Sequence, residues 1–159
     1  MKIFLSHQRT DSNIALQIQG HLKSKHGIDC YLDVVDSQFD NGEDIAEHVR
    51  KELDKCTQLL AVVSDATKKS WWVPWEIGVA TEKDFPLATF GGSSDLPEYL
   101  KKWPYLKSFS DLDKYAEASK DASKRVVTAS MESASSGTTV FRGDATKFFY
   151  KTLRAKLGQ

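Results

Sequence analysis

The hydrophobic positions of this chain alternate between short continuous runs and a spacing near 3.6 residues. Residues 2–6 contain the unbroken run Ile3, Phe4, Leu5, the pattern of a strand buried on both faces. A polar cluster follows, Ser6-His7-Gln8-Arg9-Thr10-Asp11, and then Ile14, Ala15, Ile18 and Leu22 recur at helical spacing up to Gly27. Glycine closes a helix by taking the left-handed conformation, and Thr10 or Asp11 is placed to cap its start. Residues 28–32 predict a second strand, and 33–42 a loop rich in Asp, Ser, Asn and Gly. Ile45, Ala46, Val49 and Leu53 mark a second amphipathic helix, with Glu43 and Asp44 in a first turn that favours negative charge.

The most apolar strand is predicted at 59–63, hence the centre of the sheet, and a third helix follows after Ser64-Asp65. Residues 86–90 read as a fourth strand stopped by Gly91-Gly92. Asp95 is placed to cap a short helix carrying Leu96, Leu100 and Trp103, which Pro104 ends. Residues 105–109 predict an edge strand and 111–124 a polar helix. Residues 128–139 are Ser-rich with no apolar period and read as a loop. Residues 144–157 close the chain as a helix with Phe148, Phe149, Leu153 and Leu157 inward. The expectation is one α/β domain over 1–159, with a core at 1–127, a loop at 128–139 and a C-terminal helix at 144–157.

Strands alternating with helices predict a doubly wound parallel sheet of five strands covered on both faces, in the order 2-1-3-4-5. Ligands of such sheets bind beyond the carboxyl ends of the strands, near the switch between the first and third. That rule gathers Ser6, His7, the loop from Asp33, Ser64-Asp65 and the start of the third helix around one crevice. The third helix opens with Ser70-Trp71-Trp72-Val73-Pro74-Trp75-Glu76. Pro74 lacks a backbone N–H and belongs in the first turn, so Trp72 and Glu76, four apart, share a face. Taken alone, tryptophans at helical spacing are more often core, and a glutamate near a helix start is more often a surface charge. Their position at the crevice favours a functional reading.

Composition narrows the classes. Twenty-two basic and 22 acidic residues give no net charge, so no nucleic-acid or anionic-membrane partner is expected. The longest apolar run, 59–63, is too short to span a bilayer, and the first residues lack the apolar stretch of a signal peptide, so a cytoplasmic location is expected. Cys30 and Cys56 lie far apart with no CxxC, and His7, His21, His26 and His48 show no ligand spacing, so no metal site and no cofactor are expected.

The ordered pieces Ile3-Phe4-Leu5-Ser6-His7 with Asp11, Tyr31-Leu32-Asp33, Gly42-Glu43-Asp44-Ile45, Leu60-Ala61-Val62-Val63-Ser64, and Ser70, Trp72, Val73 and Glu76 resemble the TIR (Toll/interleukin-1 receptor) domain family, particularly its bacterial members. The resemblance covers residues 1–90 well and implies a flavodoxin-like fold. It further implies cleavage of NAD⁺ at the nicotinamide–ribose bond, with the family's catalytic glutamate on Glu76, its preceding tryptophan on Trp72, and substrate contacts on Ser6, His7 and Asp33. On this reading Trp71 and Trp75 pack, and NAD⁺ is a substrate. Similarity to the signal-producing TIR proteins of Thoeris anti-phage defence implies an ADP-ribose-derived messenger reaching a separate effector, and TIR–TIR self-association. The rival readings are a non-catalytic TIR adaptor and a nucleoside deoxyribosyltransferase-like enzyme.

Overall fold

A computed structural model describes residues 1–32, 42–67, 70–91, 98–136 and 142–159. Its strands are β1 (Lys2–Ser6), β2 (Asp29–Leu32), β3 (Gln58–Val62), β4 (Leu87–Phe90) and β5 (Tyr105–Leu106); its helices are α1 (Ser12–His26), α2 (Gly42–Asp54), α3 (Trp72–Glu82), α4 (Phe109–Ser136) and α5 (Arg142–Leu157). The strands form one parallel sheet in the order β2-β1-β3-β4-β5, the doubly wound, flavodoxin-like order expected from the alternation of elements. Asp33 lies outside the described residues, as does the expected cap at Asp95.

Side-chain alternation along the strands divides the core in two. Ile3, Leu5, Leu60, Val62, Ala88 and Phe90 point to the layer built by α1, α4 and α5, where Ile18, Leu22, Tyr115, Phe149 and Leu153 meet them. Phe4, Leu59, Ala61, Val63 and Leu87 point the other way, onto Val49 and Leu53 of α2 and Val73, Ile77 and Ala80 of α3. Both layers exclude water: each of these strand residues is at most 6% exposed.

Local chemistry accounts for most element ends. Gly27 closes α1 in the left-handed region, φ 65°, its N–H donating to the Lys23 carbonyl. Asp11 caps nothing with its side chain; its Oδ2 instead accepts from the Ser64 hydroxyl at 2.8 Å. The edge strand is shorter than expected, Tyr105–Leu106, because α4 takes over from Phe109. That helix runs to Ser136, so residues 128–136, expected in a loop, are helical. No Gly or Pro occurs between Phe109 and Ser136, so nothing in that stretch breaks a helix.

Three side chains near the end of α1 hold α4. Asp113 accepts from Lys25 Nζ at 2.6 Å on Oδ2, and from His21 Nε2 and His26 Nε2, both at 2.7 Å, on Oδ1. The Lys25 ammonium, followed by His26 and His21, holds the Asp113 carboxyl well below the usual carboxylate range. Both cysteines are free thiols. Burial, with smaller contributions from Asp29 and Cys56, pushes Cys30 up to about 12; burial likewise raises Cys56 to about 11.

Candidate functional site

Ser6 is the last residue of β1 and pairs with Ala61 of β3, so it stands at the switch between the two central strands. Its parity matches that of Phe4, which directs its side chain to the α3 layer. There the Ser6 hydroxyl donates to Glu76 Oε2. Both residues are fully covered, at 0% exposure. Glu76 is the fifth residue of α3 and occupies the inward stripe with Val73, Ile77 and Ala80, all buried. It is thus a core position held by a carboxylate, not a surface charge answering the helix terminus. A buried carboxylate costs several kcal/mol in lost hydration, and a charge-assisted hydrogen bond returns about 1.5–3 kcal/mol of that.

The start of α3 is fixed by Ser70. Its Oγ accepts from the N–H groups of Trp72 at 3.1 Å and Val73 at 3.2 Å, satisfying two of the donors that a helix start leaves open. Gln8 Nε2 donates to the same oxygen, tying the segment after β1 to the start of α3. A second tie runs through Ser64, whose N–H donates to Thr67 Oγ1 at 3.0 Å and whose hydroxyl reaches Asp11. Gln8, Ser64, Thr67 and Asp11 therefore set the spacing between β1 and α3 on which the Ser6–Glu76 contact depends. Of these, Gln8 and Thr67 were not singled out in the sequence; the polar cluster after β1 and the Ser-x-x-Thr spacing at 64–67 are the signals that mark them.

Trp72 is half-buried, four residues before Glu76 on the same helix, and stacks on Trp75 with ring centroids 4.9 Å apart and planes 25° from parallel. Both rings also pack on the core layer beneath α3. Trp71, expected to pack, is 92% exposed: it stands just before the helix, where no element lies over it among the described residues. His7 takes the opposite parity from Ser6. Its Nδ1 lies 3.1 Å from the Leu5 carbonyl and its Nε2 3.4 Å from the Ser12 hydroxyl, so it braces the start of α1. The structure thus brings Ser6, Glu76 and Trp72 to one place, sends His7 to the neighbouring layer, and does not describe Asp33. Side chains of types that can hold a metal ion converge elsewhere, at His21, His26 and Asp113; the spacing of the two histidines alone did not disclose the grouping, because the third member is supplied by α4.

Comparison with known proteins agrees with the fold. The model of the TIR domain family matches residues 3–122, three quarters of the chain. The protein belongs to the TIR domain family. It is also 27% identical over 115 residues to a Bacillus cereus (strain MSX-D12) protein named probable 3' cyclic ADP-D-ribose synthase ThsB', a match covering 65% of this chain and 59% of that relative. The chain thus spans about three fifths of the relative's length. No helix among the described residues of this TIR domain is long and apolar enough to cross a membrane.

Proposed function

We propose that this TIR domain cleaves NAD⁺ at the nicotinamide–ribose bond, with Glu76 as the catalytic carboxylate, and releases nicotinamide together with a cyclic ADP-ribose or ADP-ribose. The observation that carries the proposal is the Glu76 carboxylate, buried on a helix stripe otherwise made of Val73, Ile77 and Ala80 and hydrogen-bonded by Ser6 at the carboxyl end of β1. The relative's name, a cyclic ADP-D-ribose synthase, supports the same reaction class.

The chemistry suits a fixed negative charge. As the N-glycosidic bond breaks, its electron pair leaves with nicotinamide, which departs neutral and needs no general acid. Positive charge develops on the ribose, and a carboxylate beside it stabilises the oxocarbenium-like transition state. Ser6 positions that carboxylate. The face of Trp72 is available for the pyridinium or adenine ring, a stacking or cation–π contact worth roughly 0.5–2 kcal/mol. Water then captures the ribosyl cation to give ADP-ribose, or a nucleophile within the same nucleotide closes a ring. NAD⁺ is substrate in this reaction and no cofactor is called for. Because Glu76 is fully covered, turnover requires the covering side chains to move first. Self-association of TIR domains is the proposed trigger, and a diffusible nucleotide acting on a separate effector the proposed output, as in anti-phage signalling.

The test is incubation of concentrated protein with NAD⁺, followed by chromatography and mass spectrometry of the products. Nicotinamide release that rises more steeply than protein concentration and disappears in Glu76→Gln is expected. Release that is unchanged in that variant would overturn the assignment, and absence of release at any concentration would leave a TIR module acting by association alone.

A further inference from the structure

The sheet has a second chemical focus, on the layer opposite Glu76. His21 and His26 of α1 both aim Nε2 at a single oxygen, Oδ1 of Asp113 on α4, each at 2.7 Å. The three candidate ligand atoms lie within 4.8 Å of one another. The side chains are only 12–25% exposed, and the His21 ring is held edge-on against Phe109 with centroids 5.3 Å apart. Two imidazoles and one carboxylate, partly shielded and drawn from two helices, form the ligand set typical of a zinc-class ion with one position left for water.

We propose that His21, His26 and Asp113 bind a divalent transition-metal ion of the zinc class, which cross-links α1 to α4. A tetrahedral ion with bonds of about 2.0–2.1 Å spaces its ligand atoms about 3.3 Å apart. Each ring therefore withdraws from Oδ1 by roughly half an ångström, a shift within reach of side-chain torsions alone. In the metal-free arrangement each Nε2 donates its proton to Oδ1. A coordinating ring offers its Nε2 lone pair and carries its proton on Nδ1, so the ion takes the place of the N–H groups that face Oδ1 in its absence, and any proton displaced passes to solvent. Lys25 remains on Oδ2 at 2.6 Å, where it orients the carboxylate as outer-shell partners of metal ligands do. The core residues of α1 and α4 belong to the layer facing away from α3, so the ion's role is to brace the fold and not to act on NAD⁺.

The test uses the untagged full chain, freed of metal by a chelator, and titrates it with Zn²⁺ alone, and separately with Co²⁺, whose visible absorption reports coordination. One equivalent should bind, the ring ¹⁵N signals of His21 and His26 should show coordinated Nε2 while those of His7 and His48 stay unchanged, and the melting temperature should rise by several degrees at an excess of about 100-fold over Kd. His26→Gln and Asp113→Asn should each weaken binding by at least about 10-fold, and His48→Gln should leave it intact. If either ligand variant fails to fold, the ring signals and Co²⁺ spectrum of the unaltered protein decide the matter. Absence of saturable binding at about 100 µM Zn²⁺, or coordination reported by His7 or His48 instead, would overturn the proposal and leave the cluster as an ion-paired clasp.

Discussion

Replacing Glu76 by Gln separates the carboxylate's role in the fold from its role in chemistry. The side chains have the same shape, so no cavity forms, and the amide oxygen can still accept from the Ser6 hydroxyl that now donates to Oε2. What changes is the charge. Losing charge assistance in that hydrogen bond costs about 1–1.5 kcal/mol, the difference between charged and neutral acceptors, and an amide nitrogen left poorly paired costs about 1–3 kcal/mol more. Against this stands relief of the hydration penalty of a carboxylate at 0% exposure, which amounts to several kcal/mol. The terms balance near zero or on the stabilising side, by up to about 2 kcal/mol, and the melting temperature should hold or rise by a few degrees. Nicotinamide release should meanwhile fall by at least about 100-fold, the usual cost of removing a preorganised electrostatic partner of the transition state. Paired urea unfolding and product assays on one preparation read both quantities. A variant destabilised by more than about 2 kcal/mol would mean that the charge holds the fold together, and one of undiminished activity would refute the electrostatic mechanism.

The other substitutions probe the surroundings of that carboxylate and the packing of the sheet. Ser6→Ala should lower turnover by at least about 10-fold while Glu76 stays in place, since it removes a positioning contact of about 1.5–3 kcal/mol; a Glu76-dependent rate equal to wild type would contradict this. Trp71→Ala should change stability by no more than about 0.5 kcal/mol because the ring is 92% exposed, whereas Trp75→Ala loses both the stack on Trp72 and core contact and should cost about 3 kcal/mol in urea unfolding. Gly91→Ala brings a new Cβ to 2.2 Å from the Val63 carbonyl oxygen, so the ends of β3 and β4 must part; a loss of about 1–3 kcal/mol is expected, and a neutral result would place the two strand ends differently. With thiols raised to about 12 at Cys30 and about 11 at Cys56, native protein should resist disulfide reagents at pH 8 and react only on unfolding. Folded pKa values raised above the ordinary 9.0 mean stability that is complete below pH 9 and declines as pH climbs towards 11–12, which melting curves across that range would follow.

The sheet order was legible because its evidence is local: each strand is a short apolar run, and each run is followed by a helical period that forces a parallel return. The boundaries of the first four strands fell within one residue for the same reason; those of the edge strand and of α4 did not. Residues 128–136 misled because Ser-rich sequence without an apolar stripe reads as loop, while what sustains α4 is the absence of any breaker before Gly137. The His21, His26 and Asp113 cluster was not legible, since Asp113 stands 87 residues beyond His26 and no pattern within α1 announces a partner on α4.

The candidate site shows the limit more sharply. Ser6 and His7 are neighbours in the sequence and were placed in one crevice, yet strand alternation sends adjacent side chains to opposite layers. Ser6 shares the parity of Phe4 and meets α3; His7 shares that of Leu5 and meets Ser12 of α1. Of the pair it is Ser6 that reaches Glu76, and the period of two decides which. The same reasoning applied to α3 identifies Glu76: at positions 73, 76, 77 and 80 an inward helical stripe reads Val, Glu, Ile, Ala, and the one charged residue there is the one that the end of β1 reaches. An ionisable group in an apolar stripe, aligned with a hydroxyl at the end of a central strand, is a signal carried by the amino-acid sequence itself. It is recognised only when the periods of two elements, seventy residues apart, are read together.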